Sequence, residues 1–408
     1  MNVNIPIPRA TFMVVAAALA AAPAFSAEFG PCMSTLRSEA LGRGINALTF
    51  DTAMKGVEPD PTVIEAMDTQ PEFKTPIWDY LAVLVDDQRI ADGREKLERW
   101  KQVLEQAEAR FGVDRHVIVA VWGVESDFGK QAGGRPLVRS LATGACSGRR
   151  QKFFTDELMA TLRIIQSGDM PAEVLRGSWA GAFGQTQFMP TTYQRLAVDF
   201  DGDGKRDIVN SVPDALGSTA NFLAKAGWTK GQPWGYEVRL PAGYSGTSGR
   251  GNRQAVSQWS SLGITTIDGQ PLTGSTPAAL LLPSGAKGPA FLVFGNFNAI
   301  YSYNAAESYA LAISHLSDRL RGGSAFRTAW PTDDTGLSRA QRKELQVRLG
   351  ERGFDIGTPD GAIGPRTRAA IRAFQASVGM TEDGRAGSRV FDALKTAAPR
   401  SSAQTQTK

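Results

Sequence analysis

Trp122-Gly123-Val124-Glu125-Ser126-Asp127-Phe128-Gly129 closes a run in which Val117, Ile118, Val119, Val121, Trp122 and Val124 are all apolar. Asp114 stands before the run as an N-cap, so the spacing predicts a helix over Arg115 to Glu125. A helix apolar on almost every face belongs at the centre of a domain. It stops at Ser126 to Gly129, which leaves Glu125 at its C-terminal end. There the negative end of the helix dipole and the apolar neighbours Trp122 and Phe128 both disfavour ionisation. A carboxyl group so placed keeps its proton near neutral pH and suits general acid chemistry. On local sequence alone, an exposed glutamate in a solvated loop is an equal alternative.

Upstream of this helix, Cys32 to Gly42, Pro61 to Met67 and the charged stretch Gly93 to Phe111 read as helices. Downstream, helices are expected over Lys152 to Gly168, around Thr191 to Val198, over Asp214 to Gly227 and over Tyr309 to Leu320. Among them lies Gly181-Ala182-Phe183-Gly184-Gln185-Thr186-Gln187-Phe188-Met189-Pro190, a Gly-rich, amide-bearing segment of the kind that lines a sugar cleft. From Trp234 to about Phe297 the pattern changes to Gly, Ser and Pro with short apolar runs, Ala279 to Leu282 and Ala290 to Phe294, which predict a small β insertion. The fold class is therefore mainly α (α+β).

The chain has 408 residues, 42% hydrophobic and 21% charged, enough for two or three domains with proper cores. Its net charge of +4 gives no footprint for a nucleic-acid partner. Two histidines, His116 and His315, are poor support for a zinc hydrolase. Residues 1–27 read as an export signal: Arg9, the apolar run Phe12 to Ala22, then small residues through Ala27. The run is short for a membrane span, so a soluble periplasmic protein is expected, with a retained anchor as the alternative. Cys32 and Cys146 both follow the signal, and an even pair in an oxidising compartment suggests a disulfide, with two buried free thiols as the alternative.

Asp199-Phe200-Asp201-Gly202-Asp203-Gly204-Lys205-Arg206-Asp207 places acidic residues at loop positions one, three, five and nine with glycine at six, the pattern of an EF-hand calcium loop. Asn210 stands where a bidentate glutamate is expected. The bland alternative is a solvated turn rich in Asp and Gly.

The Glu125 stretch and the Gly181 to Pro190 segment together resemble the lysozyme-like lytic murein transglycosylases of the membrane-bound lytic transglycosylase B family, over roughly Phe29 to Leu320. The resemblance implies a lysozyme-like catalytic domain over 28–321 with Glu125 as the catalytic residue. It implies substrate-binding roles for Ser178, Gln187, Asn221, Tyr303, Asn304 and Tyr309. Phe222 departs from the family, where some relatives carry Tyr, and Ala306 replaces a common Ser. Some relatives carry a metal loop, which implies a structural calcium held by Asp199, Asp201, Asp203, Lys205, Asp207 and the late acidic position Asp214. No cofactor is implied for catalysis. The family's reaction needs one carboxyl group, because the C6 hydroxyl of N-acetylmuramic acid attacks its own C1 and forms a 1,6-anhydro ring.

Residues 322–336 read as a linker, 337–395 as a compact module and 396–408 as a disordered polar tail. The module has a Ser338/Gln341 capping box, a second helix opened by Pro365, and Asp360-Gly361-Ala362-Ile363-Gly364-Pro365-Arg366-Thr367. That motif resembles the three-helix peptidoglycan-binding domain 1 family. With 11 basic and 7 acidic residues, 337–395 suits an acidic wall polymer. The expectation is a monomer whose partner is peptidoglycan, with room for partners in a cell-wall enzyme complex. A hydrolytic muramidase and a non-catalytic wall-binding scaffold are the competing readings. Exo and endo action are both open.

Overall fold

The computed structural model describes residues 22–68, 75–147 and 149–396. Residues 1–21 of the export-signal segment, and all but the first residue of the polar tail, lie outside the described residues. Helix Arg115–Ser126 runs through the centre of the larger domain, with Val117 to Gly123 buried on all sides. It packs against Glu307–Leu320, whose Tyr309 to Ser317 are buried without a break. Gly123 lets the ring of Phe128 fold back over the helix end, since a Cβ there would lie 2.7 Å from Phe128 Cζ. Phe128 also meets Trp122 edge to face, at 5.7 Å between ring centroids.

A second apolar cluster joins helices Ala22–Gly42, Leu137–Cys146 and Gln151–Ser167. Leu137–Cys146 was not foreseen, because Arg139, Thr143 and Gly144 interrupt its pattern. Gly144 is required by packing: a Cβ there would sit 2.4 Å from the Phe154 ring. Cys32 and Cys146 form the expected disulfide, with Cα atoms 5.7 Å apart. The charged stretch Gly93 to Phe111 is two helices, Asp87–Arg99 and Lys101–Phe111, broken at Trp100, whose backbone leaves helical geometry at φ −106° and ψ 20°.

The β insertion is a five-stranded antiparallel sheet in the order Arg253–Ala255, Pro277–Leu281, Ala290–Val293, Gly235–Arg239, Thr265–Thr266. Its central strands are nearly continuously apolar for a physical reason. Alternate side chains point to opposite faces, and each face has its own core. Ala279, Leu281, Phe291 and Val293 join the central cluster, while Ala278, Leu280, Ala290 and Leu292 pack with Val256 and Trp259.

Residues 322–336, expected to be a plain linker, form a docked strap. Phe326 stacks on His315 at 3.8 Å and meets Phe291 at 4.7 Å, and Trp330 reaches Trp78 at 6.5 Å. These apolar anchors seat the linker on the larger domain despite its Gly/Pro/Asp composition. The module beyond is three helices, Arg339–Glu351, Pro365–Ser377 and Ser388–Thr396, around Leu345, Leu349, Ile371, Phe374, Phe391 and Leu394. The Ser338/Gln341 capping box is formed. The Asp360-Gly361 turn is held by the buried Gln346, whose Oε1 accepts from Gly361 N and whose Nε2 donates to Asp360 Oδ1 at 3.1 Å. Gln375 repeats that arrangement on Asp383 and Gly384.

Candidate active site

Glu125 sits in the last turn of Arg115–Ser126, half-buried, at the floor of a pocket of about 350 Å³. The described lining is Thr75, Tyr80, Val83, Leu84, Val124, Glu125, Asn304 and Tyr309. Burial pushes the Glu125 carboxyl up to about 7, against a smaller opposing effect from Tyr309, whose hydroxyl donates to Oε1. Desolvation is the largest cause of that upward shift. The Tyr309 hydroxyl is itself pushed well above its usual range by burial and by the adjacent carboxyl, so it stays a donor.

The helix end is held by the Gly-rich segment. Ser126 Oγ donates to Gln185 O and accepts from Gly129 N. The segment folds into a tight hairpin, with Phe183 and Phe188 exchanging backbone bonds at 2.9 and 3.0 Å. Gly184 must be glycine there, with φ of 77° and Ile208 O only 2.9 Å from where a Cβ would stand.

Of the residues singled out from sequence, Glu125, Asn304 and Tyr309 meet in the pocket. Tyr303 lies behind it, donating to Thr186 O at 2.7 Å and stacking on Tyr309 at 6.3 Å. Phe222 and Phe188 extend this aromatic row as core packing. Ser178, Gln187 and Asn221 are not among the described lining residues. Ser178 Oγ accepts from Ala182 N, Gln187 Nε2 donates to Ala132 O and Gly184 O, and Asn221 Nδ2 donates to Leu196 O. Their visible work is to hold backbone around the cleft. Asp127, the nearest acid in sequence, is buried and engaged by Arg339 Nη1 at 2.9 Å and Arg89 Nη2 at 3.5 Å.

These features match known proteins. Residues 28–318 match the model of the transglycosylase SLT domain family. The chain belongs to that family. Residues 338–394 match a peptidoglycan binding domain. SltB3 from Pseudomonas aeruginosa, solved in complex with NAG-anhNAM-pentapeptide, is 48% identical, with a TM-score of 0.73 over 90% of this chain and 99% of that one. Membrane-bound lytic murein transglycosylase B of Escherichia coli (strain K12) is 32% identical over 244 residues, covering 58% of this chain and 65% of that protein. This chain therefore spans just under two thirds of that relative's length. The E. coli lytic transglycosylase Slt35 in complex with calcium is 27% identical, with a TM-score of 0.64 over 71% of this chain and 93% of that one.

In this SLT-family chain, Asp199, Asp201 and Asp203 bring carboxylate oxygens within 4.8 Å of one another. Three like charges this close repel, and a hard cation with oxygen ligands is the fitting remedy. Asp207 and Asp214 lie outside that group of three. Asp207 Oδ1 accepts from Val209 N and Asn210 N, while Asp214 accepts from Phe200 N, Asp201 N and Asp207 N. The donor set therefore fits at loop positions one, three and five, and Asp214 shapes the loop from beneath.

Sequence reasoning missed the wall facing Glu125. Tyr80, Val83 and Leu84 come from helix Ile77–Leu84, whose aromatic-rich start, Trp78-Asp79-Tyr80, was the available signal.

Proposed function

We propose that this chain is a periplasmic lytic transglycosylase. It cleaves the β-1,4 bond between N-acetylmuramic acid and N-acetylglucosamine without water and leaves 1,6-anhydro ends. Glu125 first protonates the glycosidic oxygen, then accepts the proton of the attacking C6 hydroxyl. The observation that carries this is the pocket's composition: Glu125, raised to about 7, is the one carboxyl group among the described lining residues. Hydrolysis by two carboxyl groups needs a second one to activate water, and Asp127 is committed to its arginines. An intramolecular nucleophile removes that need. The SLT-family match and the muropeptide complexes of SltB3 support the same chemistry. Asn304, Tyr303, Tyr309, Ser178, Gln187 and Asn221 would shape or contact the glycan, and the C-terminal module would raise its local concentration. The disulfide agrees with an oxidising compartment. No described helix is long and apolar enough to cross a membrane.

The test is a digest of purified sacculi read by mass spectrometry. Products one water lighter than hydrolytic muropeptides are expected; ordinary reducing ends would establish a muramidase instead.

Calcium is proposed to bind at Asp199, Asp201 and Asp203, in a structural role. At calcium concentrations of about 100 times the dissociation constant, folding should gain about 2.7 kcal/mol. Thermal melts with calcium and with chelator check this, and the difference should vanish in Asp199→Asn/Asp203→Asn. A melt indifferent to calcium in the unaltered chain would leave the loop as an acidic turn.

A further inference from the structure

Helix Arg115–Ser126 ends in an arrangement that its own domain leaves half supported. Asp127, the C-cap, and Phe128 both have left-handed backbones, with φ of 51° and 59°, although neither is glycine. Asp127 also puts a negative charge at the negative end of the helix dipole, the unfavourable end for an acid. Its side chain is only 3% exposed. A buried carboxylate at that position needs cations. Arg89 supplies one from 3.5 Å, beyond hydrogen-bonding reach, and Asp127 Oδ1 has no hydrogen-bond partner among the described residues. The close hydrogen bond comes from Arg339 Nη1, at 2.9 Å to Oδ2. Arg339 is the first residue of the first helix of the C-terminal module.

The module also grips a second helix that lines the pocket. Arg385 makes a two-pronged contact with Asp79, at 2.9 and 2.7 Å, and bonds Asp334 of the strap. Asp79 lies on helix Ile77–Leu84, which presents Tyr80, Val83 and Leu84 to Glu125. Arg89 joins the two grips by donating Nη1 to Val83 O at 2.8 Å. The floor and one wall of the pocket are thus each tied to a domain matched as a wall-binding accessory.

We infer that Arg339 is a positioning residue for Glu125: by holding Asp127 it fixes the end of the catalytic helix, so the C-terminal module is part of the frame of the active site as well as a tether. This rests on the reading of Glu125 as the catalytic acid. A tether acts through local substrate concentration and matters only on polymer. A frame acts on the geometry of the reacting groups and matters on any substrate.

The experiment measures kcat and KM on short soluble glycan-peptide oligomers with the full chain, alongside sacculus pull-down and amide hydrogen exchange over residues 123–129. Arg339→Ala is expected to lower kcat about tenfold to a hundredfold, with KM and sacculus binding little changed and exchange at the helix end accelerated. Arg339→Lys should recover part of the loss. Asp127→Asn added to Arg339→Ala should also recover part, because a neutral amide at the cap no longer requires a cation. If Arg339→Ala does not fold, the double variant carries the comparison: kcat below that of the unaltered chain with faster exchange supports the frame, and an unchanged kcat refutes it. Arg339→Ala with kcat within about twofold and unaltered exchange would make the module a tether only. Glu125→Gln, run in parallel, separates the failures. An active Glu125→Gln overturns the catalytic reading, whereas an inactive one beside an active Arg339→Ala overturns the positioning role alone.

Discussion

Glu125→Gln is expected to lower turnover of sacculi by about 10² to 10⁴-fold, the range for removing a general acid-base group, while the protein stays folded and bound to the wall. Glutamine keeps the shape and can still accept from Tyr309, but it has no proton to give to the leaving oxygen. The pH profile should report the same group. Glu125 titrates near 7, so the acid form falls about tenfold per pH unit above that point, and kcat/KM should fall with it. Burial favours the protonated carboxyl, so its contribution to folding stability is full below about 4.5 and is lost as pH rises through about 7. Tyr309→Phe removes a donor that favours the carboxylate, so the alkaline limb should move upward as turnover drops. Initial rates across about pH 5 to 9 decide both points. A Glu125→Gln variant within tenfold of the unaltered chain would remove Glu125 from the chemistry.

The centre of this site was legible because two strong physical signals coincide there. An uninterrupted apolar helix must be buried, and a carboxyl group at its end must then be hard to ionise. The strands Pro277–Leu281 and Ala290–Val293 were legible as apolar runs, although the two cores that make both faces apolar belong to tertiary structure. Leu137–Cys146 was not legible, since one of the residues that interrupt its pattern, Gly144, answers to a ring on another helix. The docking of the module was beyond sequence for a related reason. Asp127 and Arg339 are 212 residues apart, and Asp79 and Arg385 are 306 apart. A single charged pair at such distances carries no local signature. The docking of the linker was not legible because Phe326 and Trp330 are sparse anchors in a segment whose composition is that of a loop.

Replacing both Cys32 and Cys146 by serine should cost about 2 to 5 kcal/mol of stability, the usual range for a native disulfide. The bond joins positions separated by 114 residues, and closing a loop of that order is worth about 4.7 kcal/mol in unfolded-chain entropy. The first part of the folded chain depends on it in a specific way. Cys32 stands on Ala22–Gly42, and Cys146 ends Leu137–Cys146, so the bond fixes one helix on the other beside Leu36 and Ala40. Those apolar contacts remain in the variant, and the fold should therefore survive at reduced stability. Glu125 stands on Arg115–Ser126, which packs with Glu307–Leu320 in a different apolar cluster from the one beside the disulfide. Turnover at 25 °C should consequently stay near that of the unaltered chain while the denaturation midpoint falls. Denaturant titration of the oxidised chain, the reduced chain and the double serine variant checks this, and the last two should agree. A loss below about 1 kcal/mol, under the usual range for a native disulfide, would mean that the apolar face of the first helix holds it in place without the bond.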